Sequence, residues 1–133
     1  MKKKIAMLAG ALAMAASAML PATAHAAVAR NGVCEAGEFC LYYNYGLRGS
    51  LSDFDTRIPG YGPSQPTCYE FKSDATGRYT CVWHNAMSAW NRTSHRVTVH
   101  KIINYRGGFD EFAPGQSGDL VNTRNMNESH QFH

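Results

Sequence analysis

The sequence has 133 residues, with 13 Lys and Arg against 10 Asp and Glu. Three of the cations, Lys2, Lys3 and Lys4, stand at the very start, so ten basic residues face ten acidic ones in the remainder. A chain balanced in this way offers no basic surface for nucleic acid or for an anionic membrane.

The three lysines precede an uncharged run from Ile5 to Leu20, which gives way to small residues at Ala22, Thr23, Ala24 and Ala26. A basic start, an apolar centre and an Ala-x-Ala exit read as a secretory signal peptide at residues 1–26, cleaved after Ala26. The apolar run is too short and too broken to span a bilayer. Residues 27–133 then form one domain, expected outside the cell and free of the membrane. All four cysteines, Cys34, Cys40, Cys68 and Cys81, lie in that part. An even number of cysteines in an exported chain argues for two disulfides. Three pairings exist, of which Cys34–Cys40 with Cys68–Cys81 is the simplest. Neither interval has the short Cys-x2–4-Cys step of a zinc site.

Residues 27–32 read as a loose lead, and residues 34–40 as a small staple around Gly37. A first strand follows at Phe39, Leu41 and beyond. The stretch from Phe39 to Gly49 returns, without gaps, 58 positions later from Val97 to Gly107. Phe39 and Leu41 fall on Val97 and Val99, so apolar residues recur at period two in both copies, as in a half-buried strand. Tyr42 falls on His100, Leu47 on Tyr105, Gly49 on Gly107 and Phe54 on Phe112. The repeated glycine allows a positive φ where the chain folds back under a bulky residue. Two copies imply one β domain built from two similar halves.

Between the copies, residues 55–67 carry three prolines and two glycines and read as a long exposed loop. Residues 68–72 and 79–83 read as two arms of a hairpin joined by a turn-rich link. Tyr69 and Phe71 on one arm, and Tyr79, Cys81 and Trp83 on the other, are expected on core faces. Residues 84–93 read as polar and turn-like, with Trp90 as a plug. After the second copy, Pro114 and Gly115 mark a turn, residues 119–121 a short strand, and residues 122–133 a polar tail. No helical period is found outside the leader, so the fold class is all-β, a sandwich of short strands.

Several of these stretches carry a resemblance. They are Cys34 to Gly49, the block Asn85, Ser88, Ala89, Trp90, Asn91, Arg92 and Thr93, then Val97, Val99, Tyr105, Arg106 and Gly107, and finally Pro114 and Gly115. Together they are similar to exported actinobacterial proteins of the Streptomyces metalloproteinase inhibitor type, a βγ-crystallin-like peptidase inhibitor family. The resemblance covers nearly all of residues 27–133. It implies a βγ-crystallin-like sandwich of two Greek-key motifs, and inhibition of an extracellular peptidase by binding, without catalysis. The expected state is a monomer and the expected partner a metallo- or serine peptidase.

An inhibitor presents a rigid segment that loses little entropy on docking. Two segments qualify. Lys72, Ser73, Asp74, Ala75, Thr76, Gly77 and Arg78 lie inside the Cys68–Cys81 ring and are favoured over residues 56–67, which have prolines but no staple. The βγ-crystallin resemblance also implies calcium motifs, for which the candidates are Asn85 and Ser88 in one copy and Asn127, Glu128 and Ser129 in the other. His84 and Ala89 replace two oxygen-bearing positions, and Glu128 is the single anion, so weak calcium binding is the most that this donor set allows. No other cofactor is expected.

Catalysis finds no support in the residue spacing. No His-Glu-x-x-His or Gly-x-Ser-x-Gly pattern occurs. His100 stands where the other copy has Tyr42 and is expected to pack; His130 and His133 are expected to be solvated. Asp53 with Asp55, and Asp110 with Glu111, read as carboxylates in solvated turns. The alternative to inhibition is a carbohydrate- or envelope-binding, killer-toxin-like module stacking sugars on Tyr42, Tyr43, Tyr45, Tyr61, Trp83 and Trp90.

Overall fold

The computed structural model describes residues 28–133; the leader and Ala27 lie outside them. Among the described residues the strands are β1 (Phe39–Tyr42), β2 (Leu51–Phe54), β3 (Ser88–Asn91), β4 (Val97–Ile102), β5 (Arg106–Phe112), β6 (Ser117–Asp119) and β7 (Ser129–Phe132). They form two antiparallel sheets, ordered β2-β1-β3-β6 and β5-β4-β7.

The period-two pattern places the core. Phe39 and Leu41 on β1 and Val97 and Val99 on β4 are buried, together with Phe54, Phe112, Ala89 and Leu120. Phe39 and Phe112 meet across the two sheets with ring centroids 6.1 Å apart. Burial of a large apolar side chain contributes about 1.5–3 kcal/mol, so this cluster is the main force holding the sheets face to face.

The 58-residue repeat is realised in the backbone. Leu47 and Gly49 have φ of 59° and 76°, and Tyr105 and Gly107 have 61° and 77°. A non-glycine residue in the left-handed region carries strain of roughly 1–2 kcal/mol, and in both copies a serine offsets it. Leu47 donates its N–H to Ser88 Oγ at 3.0 Å, and that hydroxyl donates to Asn44 O at 2.6 Å. Tyr105 donates to Ser129 Oγ at 3.2 Å, and that hydroxyl donates to Ile102 O at 2.8 Å. The start of each half's last strand is thus tied to its first hairpin.

The halves also exchange material. β6 belongs to the second half but pairs with β3 of the first. In return Ile58, from the first half, bridges His130 on β7. Each half is a Greek key whose third segment completes the other half's sheet.

Several expectations need correction. The polar tail is β7 at its end, paired along β4 from Val97↔Phe132 to His100↔Ser129. Residues 84–93 contain β3, a neighbour of the central β1. The short strand ends at Asp119, and Val121 beyond it is 74% exposed. The two arms at residues 68–83 form no regular strand, only a bridge between Glu70 and Cys81. Positive φ at Tyr79 and His84 turns the second arm, so Val82 enters the core while Tyr79 is 57% exposed and Tyr69 also reaches solvent. Asp53 and Asp110 lie inside β2 and β5 and are buried, because they bind backbone N–H groups. Asp53 holds those of Asn31 and Gly32 at 2.9 and 2.7 Å. Asp110 caps the turn at residues 121–123; burial pushes its pKa up, but the donors of Thr123, Asn122 and Val121 together leave it lowered.

Candidate functional site

The two halves differ most between their second and fourth segments. Residues 55–87, 33 in number, separate β2 from β3, whereas only residues 113–128, 16 in number, separate β5 from β7. The longer interval is stapled by Cys68–Cys81, with Cα atoms 5.6 Å apart; Cys34–Cys40 closes the other loop. Within the staple, Phe71 N donates to Thr80 O, Tyr79 N to Phe71 O and Val82 N to Tyr69 O, at 2.8–3.0 Å. Phe71 and Val82 are wholly buried and root this segment in the core.

Residues 72–78 arch from that root over the edge of β2. Lys72 N donates to Leu51 O at 2.8 Å and Ser50 N to Thr76 O at 2.8 Å. Ser50 Oγ donates to Ser73 O at 2.7 Å and Leu51 N to Ser73 Oγ at 2.8 Å. The neck is closed by Arg78 Nε donating to Lys72 O at 3.1 Å. Gly77, at φ 92°, lies flat on the Tyr43 ring, where a Cβ would come within 2.2 Å of Cγ. Tyr43 in turn packs edge-on against Phe71, centroids 5.6 Å apart. Asp74, Ala75 and Thr76 remain exposed at the tip. The Arg78–Asp74 ion pair at 3.6 Å is open to solvent and adds little.

The competing loop is not separate from this arch. Ile58 and Tyr61 are buried, Cys68 N donates to Ser64 O, and Tyr69 N donates to Tyr61 O. Residues 63–67 stand exposed beyond them. Gln65 Nε2 donates to both Glu70 Oε2 and Tyr79 O, each at 2.9 Å. That bond holds the Glu70 carboxyl below its usual pKa, with Lys72 Nζ at 3.3 Å assisting. The two loops therefore wall a single groove of about 370 Å³, lined by Arg30, Gln65, Pro66, Tyr69, Glu70 and Lys72. In sequence the two loops stand as alternatives, because Gln65 carries no pattern that announces a bridge.

The histidines serve packing. His130 is fully buried, against the expectation that it is solvated. Its Nε2 must donate to the Thr56 carbonyl at 2.8 Å, which leaves Nδ1 to accept from the Tyr61 hydroxyl at 2.8 Å. The Phe39 and Phe54 rings lie 5.1 and 4.8 Å from it. Burial depresses its pKa to about 3, and pushes that of Tyr61 well up. A signal was available: the matched motifs at Ser88 and Ser129 place a strand after each. His100 packs at 5.5 Å from Phe109, shares the Thr98 hydroxyl with His133, and has a pKa lowered by burial. Among the described residues, the carboxylate contact of a histidine is an exposed one. His84 pairs with Glu128 at 2.8 Å on the surface.

The calcium candidates are already engaged. Ser88 and Ser129 tie the hairpins as described. Asn127 Oδ1 accepts from Ala86 N and its Nδ2 donates to Val82 O; Asn85 Nδ2 donates to the Cys81 and Trp83 carbonyls. Glu128 takes His84 and the Ile103 N–H. Among the described residues no group of three or more His, Cys, Asp or Glu is arranged for a metal ion. The proposed sugar-stacking rings scatter: Tyr42 and Tyr61 are buried, Tyr43 is in the insert's base, Trp83 stacks on His84, and Trp90 lies under Arg92. Tyr45 is exposed beside Arg124.

The two sheets, with their exchanged segments, define the class. The fold matches a solved structure from work on the evolution of the eye lens βγ-crystallin domain fold, with TM-score 0.55 and 10% identity over 76% of this chain and 90% of that one. A βγ-crystallin from an archaeon aligns over 74% of this chain and all of that one, at 17% identity and TM-score 0.48. The model of peptidase inhibitor family I36 matches residues 27–112, and the chain belongs to that family. It is a binding protein and not an enzyme. No curated protein matches the sequence.

Proposed function

We propose that this inhibitor is exported, acts on extracellular metallo- or serine peptidases, and engages them one to one through residues 72–78. Family membership implies a peptidase as partner. The observation that supports this surface is the asymmetry of the halves: the first alone carries a long interval, disulfide-closed and bonded down onto β2. A loop fixed in advance forfeits little freedom when it docks. Two disulfides suit an oxidising compartment. Tight turns, with Ala75 N donating to Ser73 O and Arg78 N to Ala75 O, present Asp74, Ala75 and Thr76 as a knob and not as an extended strand. The arch is accordingly read as a plug at the mouth of the enzyme's cleft.

The test is titration of residues 27–133 against thermolysin-like and subtilisin-like enzymes, with stoichiometric loss of activity expected in at least one class. Gly77→Ala would drive a methyl into the Tyr43 ring and is expected to weaken inhibition about tenfold or more while both sheets persist. No loss of activity with any enzyme rejects inhibition; a Gly77→Ala protein as potent as wild type moves the contact elsewhere.

A further inference from the structure

The segment preceding the first disulfide is firmly placed, not loose, and Arg30 is the reason. Its Nη1 donates to Ser52 Oγ and to Asp53 O, and its Nη2 donates to Glu70 O at 3.0 Å. The guanidinium lies over the Phe54 ring at 4.4 Å and the Tyr69 ring at 5.2 Å. One side chain therefore joins three stretches: the lead, β2 and the long interval. The next two residues extend the joint. Asn31 and Gly32 hold the Asp53 carboxylate, and Gly32 lies so close to the arch that a Cβ would be 2.9 Å from Ser73 N. Arg30 itself sits at φ 67°, a conformation an L-residue adopts only when its surroundings impose it.

We propose that Arg30 is the positioning residue for the peptidase-contact surface: it fixes Tyr69 and Glu70, the floor of the groove, and through them the root of the arch. The inference rests on the reading of residues 72–78 as the contact. Arginine is required by geometry. Only a planar fork can serve a hydroxyl and two carbonyls while lying over two adjacent rings; a lysine ammonium is a point donor on a flexible stem and cannot. Docking affinity depends on the surface being ordered beforehand, so loosening this joint should weaken inhibition without opening the sandwich.

The experiment compares wild type, Arg30→Lys and the milder Ser52→Ala, which removes one of the fork's partners and that hydroxyl's own bond to Glu70 O at 3.0 Å. Arg96→Lys, at the exposed pair with Glu111, serves as control. Hydrogen exchange is read at the amides of Lys72, Ala75 and Tyr79 and at those of β4, alongside inhibition of the peptidase found by titration. Expected for Arg30→Lys is about tenfold or more faster exchange at the three insert amides, unchanged exchange in β4, and a comparable rise in the inhibition constant. Ser52→Ala should shift the same amides by a smaller factor, and Arg96→Lys none. Unchanged insert exchange in Arg30→Lys overturns the proposal, as does equal acceleration in β4, which would mark a general fold residue. Should Arg30→Lys fail to fold, Arg30→Gln, which keeps an amide donor but not the fork, decides by the same amides. If wild type inhibits no peptidase, the contact reading fails, while the exchange data still settle whether Arg30 positions the insert.

Discussion

The buried His130 makes stability depend on acid in a calculable way. In the unfolded chain its pKa is 6.5, and in the folded chain it is about 3, because a charged imidazole has no water inside the core. Between those values the unfolded state binds the extra proton. Stability is therefore complete above pH 6.5 and falls as pH drops toward 3, by up to about 1.4 kcal/mol per pH unit. Over the whole window this reaches roughly 5 kcal/mol, of the same order as the total stability of a small domain. The assay is urea unfolding at several pH values from 7 to 4, for wild type and for His130→Phe. The phenylalanine leaves the Tyr61 hydroxyl and Thr56 carbonyl without partners, at a cost of about 2–5 kcal/mol, but it cannot titrate. Wild type should lose stability more steeply than the variant between pH 6 and 4. Parallel pH dependences would refute the reasoning, as would wild-type NMR shifts showing that His130 protonates in the folded protein near pH 6.

Two further outcomes follow from the fold. Replacing Cys68 and Cys81 together by alanine should cost about 3 kcal/mol, measured by denaturant unfolding, and should expose residues 72–78 to limited proteolysis while β4 and β5 remain protected. Ser88→Ala and Ser129→Ala should each cost about 1–3 kcal/mol, since each leaves a strained hairpin N–H without its acceptor; similar losses at the two positions would bear out the internal symmetry, and a near-neutral effect at either would contradict it.

The repeat was legible because each copy combines inward apolar residues with a glycine at a positive φ. Both disulfides form in the simplest of the three pairings that the cysteine spacing allows. β3 and β7 were not. Ser88–Asn91 and Ser129–Phe132 are four residues each and largely polar in sequence, yet their polar groups are buried and bonded, Asn91 Nδ2 to His95 O and Phe112 O, His130 to Thr56 and Tyr61. Hydrophobic patterning cannot report a buried polar group that the backbone satisfies. The arms of residues 68–83 depart for another reason: positive φ at Tyr79 breaks the alternation that assigned Tyr79 to the core, while Trp83 still packs against it. Arg30 was invisible because its partners lie 22 to 40 positions away.

The exchange of β6 and Ile58 between the halves has a mechanical consequence. Neither Greek key owns a finished sheet, so the two sheets are expected to melt together even where a surface segment opens by itself. An elaboration attached to one key is consequently braced by both. Its length and chemistry can diversify at the surface while the shared scaffold beneath keeps a single, all-or-none stability.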